Sequence, residues 1–135
     1  MKEETVFFLL FGSFALFIVY SIYASMDKAN EKARELQAVL EELRHEVMVV
    51  TSSAIPGKTI KQVFGNVSGI SDTNAVSREE FALAEKEAMH NLILEAKKFG
   101  ANAVVDLKLS TGTYEHTGSQ WQVSQLIYLG TAVSV

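Results

Sequence analysis

The chain has 135 residues, a net charge of −4, one proline and no cysteine, and 48% of its residues are hydrophobic. The missing thiols exclude disulfides, zinc knuckles and thiol catalysis, and the mild charge without a basic patch excludes a nucleic-acid surface. What remains suits one small domain with a helical extension.

Residues 5–26 contain no charged side chain, a run of 22 residues. As a helix it would reach about 33 Å, enough for the roughly 30 Å hydrocarbon core of a bilayer. The start, Met1-Lys2-Glu3-Glu4, is not basic, and the apolar stretch is longer than a signal-peptide core, so residues 1–26 are expected to be a retained transmembrane helix. Tyr20 and Tyr23 stand near its far end, where aromatic rings prefer the headgroups. Lys28, Lys32 and Arg34 follow it, against Lys2 and the terminal amine before it. That balance places the C-terminal part in the cytoplasm of a single-pass cell-membrane protein.

Residues 27–46 read as a stalk. Ile22, Met26, Ala29, Ala33, Leu36, Leu40, Leu43 and Val47 recur in alternating steps of four and three, with charged residues between them. This is the seam of a coiled coil. Ala29, Ala33, Leu36, Leu40, Leu43 and Val47 are therefore the expected self-association residues. Counting backward reaches Ile18, Ala15, Phe11 and Phe8, so one contact face would continue into the membrane span. The alternative is an amphipathic helix lying on the domain that follows.

Residues 47–135 read as that domain. Residues 47–51 form a short apolar strand, 55–58 a turn, and 59–70 a second strand interrupted by Gly65 and Gly69. Ser77 stands three residues before Glu80, a capping-box pattern opening a helix that ends at Lys97-Lys98 before Gly100. Phe81, Ala84, Ala88, Leu92, Ala96 and Phe99 would be its buried face. Val105, Leu107 and Leu109 alternate with Asp106, Lys108 and Ser110 as a half-buried strand, and residues 112–120 form a loop. The last strand covers 121–135, with Trp121, Val123, Ile127, Leu129, Val133 and Val135 on one side and Leu126, Tyr128 and Ala132 on the other. Strand-strand-helix-strand-strand predicts an α+β fold, a small mainly antiparallel sheet with one packed helix. One helix cannot cover two apolar sheet faces, so the excess points to neighbouring subunits.

The segments Gly65-Asn66-Val67-Ser68-Gly69, Gly100-Ala101-Asn102-Ala103-Val104-Val105 and Gly130-Thr131-Ala132-Val133, in this order around one helix, resemble the YbjQ-like family, whose label is heavy-metal binding. The resemblance covers residues 47–135. It implies a compact α+β fold and five-subunit rings. Asn102 stands where family members commonly have Asp, and Phe64 where some have Cys.

The histidines are the candidate soft-metal ligands. Glu42/His45 and Glu87/His90 have the Glu-x-x-His spacing of carboxylate-bridged sites, but both pairs fall on polar helix faces and read as solvated surface. Glu115 and His116 lie in a loop, where symmetry-related copies could share a divalent metal; they are the candidate metal site. No Ser-His-Asp arrangement, phosphate loop or dinucleotide fingerprint occurs, so no catalytic role and no resident cofactor are expected. The leading reading is a membrane-anchored, homo-oligomeric binding or scaffold protein whose partners are the lipid bilayer, further copies of itself and a protein or small ligand. Metal or ligand sequestration by the loops of a ring is the second reading. A pore through the bundled spans is the third; the Phe-rich seam opposes it.

Overall fold

The computed structural model describes residues 2–115, 118 and 122–135. Its elements are α1 (Glu3–Glu46), β1 (Met48–Val49), β2 (Gln62–Ile70), α2 (Arg78–Lys98), β3 (Ala103–Glu115) and β4 (Gln122–Ser134). The strands form one sheet in the order β1-β3-β4-β2. β1 runs parallel to β3, and the other two pairings are antiparallel. The expected α+β fold is present. β3 continues through Gly112 to Glu115, pairing Gly112 with Gln125 and Thr113 with Ser124, where the sequence suggested a loop.

Local chemistry sets the limits of α2. The Ser77 side chain accepts the Glu80 backbone N–H at 3.3 Å, and its hydroxyl donates to Glu80 Oε1 at 2.9 Å. The helix ends before Gly100, which takes a φ of 76°, a conformation that costs a glycine little. Its buried face is Leu83, Ala84, Ala88, Met89, Leu92, Ile93 and Ala96, wider than the expected stripe. Phe81 and Phe99, expected inside, are 37% and 49% exposed. The reason is that α2 lies between two partners. The sheet takes one side and α1 takes the next, which rotates the burial away from the two terminal phenylalanines.

α1 is a single helix of 44 residues. Its outer part is long and apolar enough to cross a membrane, and nothing in its most apolar stretch is buried. Its inner part packs along α2. Residues Ser25 to Lys32 lie beside Thr73 to Leu83, and Glu46 forms an ion pair with Lys97, so the two helices run in the same direction. The domain therefore folds back along α1 towards its apolar part.

Two bulges shape the sheet. In β3, Val105 pairs with Thr131 and Lys108 with Leu129, so three steps on one strand oppose two on the other. Asp106 sits in this bulge with a φ of 54°. The extra residue turns Val105 to the outer side, while Val104 and Leu107 face α2. The alternation that suggested one shared face for Val105, Leu107 and Leu109 is thus broken, because a bulge reverses the strand's facing. Backbone bonds from Asp106 N to Ser52 O at 3.0 Å and from Leu107 N to Val50 O at 3.2 Å hold it. In β2 the register shifts between Val63 and Gly65, where Gly65 takes a φ of 125°.

The main core lies between α1, α2 and the inner sheet face, with Leu40, Val67, Ala88, Leu92, Val104, Tyr128 and Ala132 at its centre. A smaller cluster on the outer face joins Ala103, Val105 and Val133 to Ile55, with Val50 and Ile60 packed against it. The chain between β1 and β2 therefore covers one end of the outer face, and the apolar excess left for other subunits is smaller than the strand patterns implied.

Candidate functional site

The residues singled out from the sequence do not converge. Glu42 and His45 are both exposed on α1. Glu87 is half-buried rather than solvated. Its Oε2 accepts the Thr73 backbone N–H at 2.7 Å and its Oε1 accepts the Thr73 hydroxyl at 2.8 Å. Both oxygens hold the loop before α2, and neither is directed to His90 as a shared ligand. Glu115 ends β3, but its side chain and all of His116 lie outside the described residues. Among the described residues no group of three or more His, Cys, Asp or Glu side chains could hold a metal ion.

The seam residues have a partner within the chain. Ala29, Leu40 and Val47 are buried, and Ala33, Leu36 and Leu43 are half-buried. Leu36, Leu40, Leu43 and Val47 belong to the main core beside α2. Asn102, where the family resemblance would favour Asp, closes the far end of the sheet. Its Nδ2 donates to Val135 O at 3.1 Å and its Oδ1 accepts from Val135 N at 2.8 Å. A carboxylate could make only the second bond.

A polar pin joins α2 and β4 beside α1. The Tyr128 hydroxyl donates to Glu85 Oε1 at 2.9 Å, in a recess also lined by Gln37, Arg44 and Lys86. Burial pushes the phenol up to about 12; the hydrogen bond to Glu85 and its negative charge add to this, and Arg44 opposes it. A group whose acid form is favoured on folding stabilises fully below its unfolded value near 10 and loses that contribution as pH rises towards 12. Tyr128→Phe is expected to cost about 1 kcal/mol at neutral pH. The gap between wild type and variant should narrow from pH 10 upward, which denaturation at several pH values would check.

The outer sheet face carries the main open surface. Val63, Ile70 and Leu129 are 61%, 45% and 45% exposed there. By register, Val63 faces outward with Val133, Ile70 with Ile127, and Leu129 with Ser68 and Lys108. At the β3 bulge this surface dips into a groove of about 490 Å³ formed by Asn66, Asp106, Lys108 and Thr131 over Val67, Leu129 and Gly130. It offers a carboxylate, an ammonium, an amide and a hydroxyl beside the Leu129 side chain, while the Val67 side chain faces the main core. Such a set binds by charge and hydrogen bonds. The positive φ of Asp106 marks the bulge as a place where the fold tolerates a backbone conformation that costs a non-glycine residue about 1–2 kcal/mol. The sequence held one weak sign of it, since Asp enters this region more readily than most residues.

A family model described as "Putative heavy-metal-binding" matches residues 73–135. A UPF0145 protein of Mycobacteroides abscessus is 33% identical over 108 aligned positions, covering 66% of this chain and 96% of the relative. The chain belongs to the UPF0145, or YbjQ-like, family. A second UPF0145 protein, from Thermococcus kodakarensis, is 32% identical over 108 positions and is covered to 91%. A crystal structure of a DUF74-family protein of unknown function from Pediococcus pentosaceus superposes with a TM-score of 0.52 at 21% identity, covering 66% of this chain and 97% of that one. That likeness is one of fold. The UPF0145 family model begins just before α2 and runs through β4, so it includes the Glu115-His116 segment and leaves α1 outside.

Proposed function

We propose that this UPF0145-family chain is a single-pass, membrane-anchored binding or scaffold protein without catalytic activity. Its cytoplasmic domains assemble into a ring, five-membered by family resemblance. The observation that carries self-association is the outer sheet face, where Ile70 and Leu129 remain open although the other end of the same face is covered by Ile55 and Ile60. A second copy is the natural cover, because an apolar strip beside polar groove walls suits a surface that is buried on assembly. The exposed span of α1 supports the anchor.

The test is the mass of the full chain in detergent, measured by light scattering. Wild type should be oligomeric. Ile70→Asp with Leu129→Asp should give monomers that keep the wild-type circular dichroism spectrum, with a thermal midpoint lowered only by the association that is lost. A monomeric wild type, or an oligomer unaffected by both charges, rejects this interface.

A second reading, divalent-metal or small-ligand sequestration at Glu115 and His116, is supported by the family description, which spans both residues. Calorimetry with zinc and copper should then show tighter binding by wild type than by His116→Ala. Equal affinity removes the site.

A further inference from the structure

The uncharged run of α1 ends at Met26, and the first buried contact of α1 with the domain is Ala29. Three residues of helix advance about 4.5 Å. If α1 spans the bilayer, the end of the domain beside Ala29 lies at headgroup depth. That end is the loop before α2 and the first turns of α2, and it carries Val76, which is 54% exposed.

Between this end and α1 lies a cleft of about 280 Å³. Ser25, Lys28 and Lys32 line its α1 side, and Thr73, Ser77, Glu79 and Glu80 line the other. Opposite charges thus face each other without pairing. The ion pairs among the described residues are Lys97 with Glu46 and Lys98 with Glu95, both at the opposite end of α2. Glu80 is engaged by the Ser77 hydroxyl. Two ammonium groups one turn apart and one uncommitted carboxylate, on Glu79, remain across an open gap.

We propose that this cleft binds the headgroup of an ethanolamine phospholipid, a deepening that rests on the membrane reading above. The phosphate lies towards Lys28 and Lys32, which supply the N–H donors, because the Ser25 and Thr73 hydroxyls already donate to Ile22 O and Glu87 Oε1. The lipid ammonium lies towards Glu79. The two-sided charge selects a zwitterion. A headgroup with net negative charge would bring its excess charge towards Glu79 and Glu80. A choline group has no N–H to donate to a carboxylate, and the cleft lining contains no aromatic ring to receive it. Such a lipid would hold the domain against the bilayer and fix the tilt of α1.

The test uses the full chain reconstituted with mixed lipids, extracted gently and examined by native mass spectrometry. Phosphatidylethanolamine should be retained about tenfold over phosphatidylcholine, a difference of about 1.4 kcal/mol. Lys28→Gln with Lys32→Gln should abolish retention of both lipids, and Glu79→Gln should erase the preference between them. Lys28 and Lys32 are exposed and Glu79 is half-buried, and none of the three is in an ion pair among the described residues, so the thermal midpoint should stay close to the wild-type value. Equal retention of the two lipids by wild type, unchanged retention by the lysine variant, or stronger retention of phosphatidylglycerol each overturns the proposal. Alkaline extraction of the membranes separates the failures. Release of the chain rejects the membrane reading itself, whereas a chain that stays in the membrane without lipid preference rejects this site alone.

Discussion

Gly69→Ala is expected to lower the thermal midpoint by on the order of 15 °C. Gly69 lies on β2, opposite Tyr128, on the side facing α2. A methyl group there would run into the Ala88 carbonyl oxygen and the Leu92 backbone nitrogen, and would come within 2.8 Å of Leu92 Cβ. Two of these three atoms are backbone atoms of a helix held by Leu92, Ile93 and Ala96, all fully buried, so no flexible side chain can move aside. Overpacking of this kind costs about 3 kcal/mol, the upper end of the usual range. For a domain of this size each kcal/mol shifts the midpoint by about 4–8 °C. Gly112→Ala is the control. It is also a strand glycine, but nothing lies within 4 Å of an added Cβ. Its midpoint should move by no more than about 4 °C. Equal shifts in the two variants would mean that α2 does not rest on β2 at this point.

Leu40→Ala should destabilise the domain by about 3 kcal/mol, the middle of the range for removing a buried leucine side chain. Leu40 is 1% exposed, although it belongs to the long helix whose outer part is apolar enough to cross a membrane. It packs into the same core as Met89 and Tyr128. Val39, its neighbour, is 43% exposed, and Val39→Ala should cost no more than about 0.5 kcal/mol. The contrast tests which partner the seam uses. Packing within one chain predicts a loss in Leu40→Ala that does not change on dilution. Packing between chains predicts a loss that varies with protein concentration, because association stabilises by mass action. Denaturant titration of the detergent-solubilised chain at two concentrations decides between them.

Leu40 also shows where reading by pattern stops. The steps of four and three from Ala29 to Val47 are legible, and they describe a helix with an apolar stripe. The stripe's period does not name its partner, because another copy's stalk and this chain's own α2 reward the same spacing. Asp106 gives a second case. Val105, Leu107 and Leu109 alternate with polar residues, yet one inserted residue sends Val105 to the opposite side of the sheet from Leu107. The bulge is held by backbone bonds to Val50 and Ser52, which come from a segment some fifty residues away, so no local signal could announce it. The groove beside Asp106 and the cleft between Lys28 and Glu79 were hidden for the same reason. Each joins residues from distant segments.

What the sequence determined by itself was local. The charge-free run of residues 5–26, the Ser77–Glu80 cap, the glycine stop after α2 and the apolar stripe of α1 all follow from side-chain polarity and backbone freedom within a few positions. The three glycine-containing segments added the family. The tertiary structure decided the pairings: α1 against α2, β1 beside β3, Gly69 beneath Leu92, and Glu87 on the Thr73 loop. Those choices depend on which surfaces meet once the chain has closed on itself, and the same residue pattern satisfies more than one of them. The parallel course of α1 and α2 is the outcome that matters most for function. It lays the domain alongside the inner part of α1, with the start of α2 towards the apolar end of that helix.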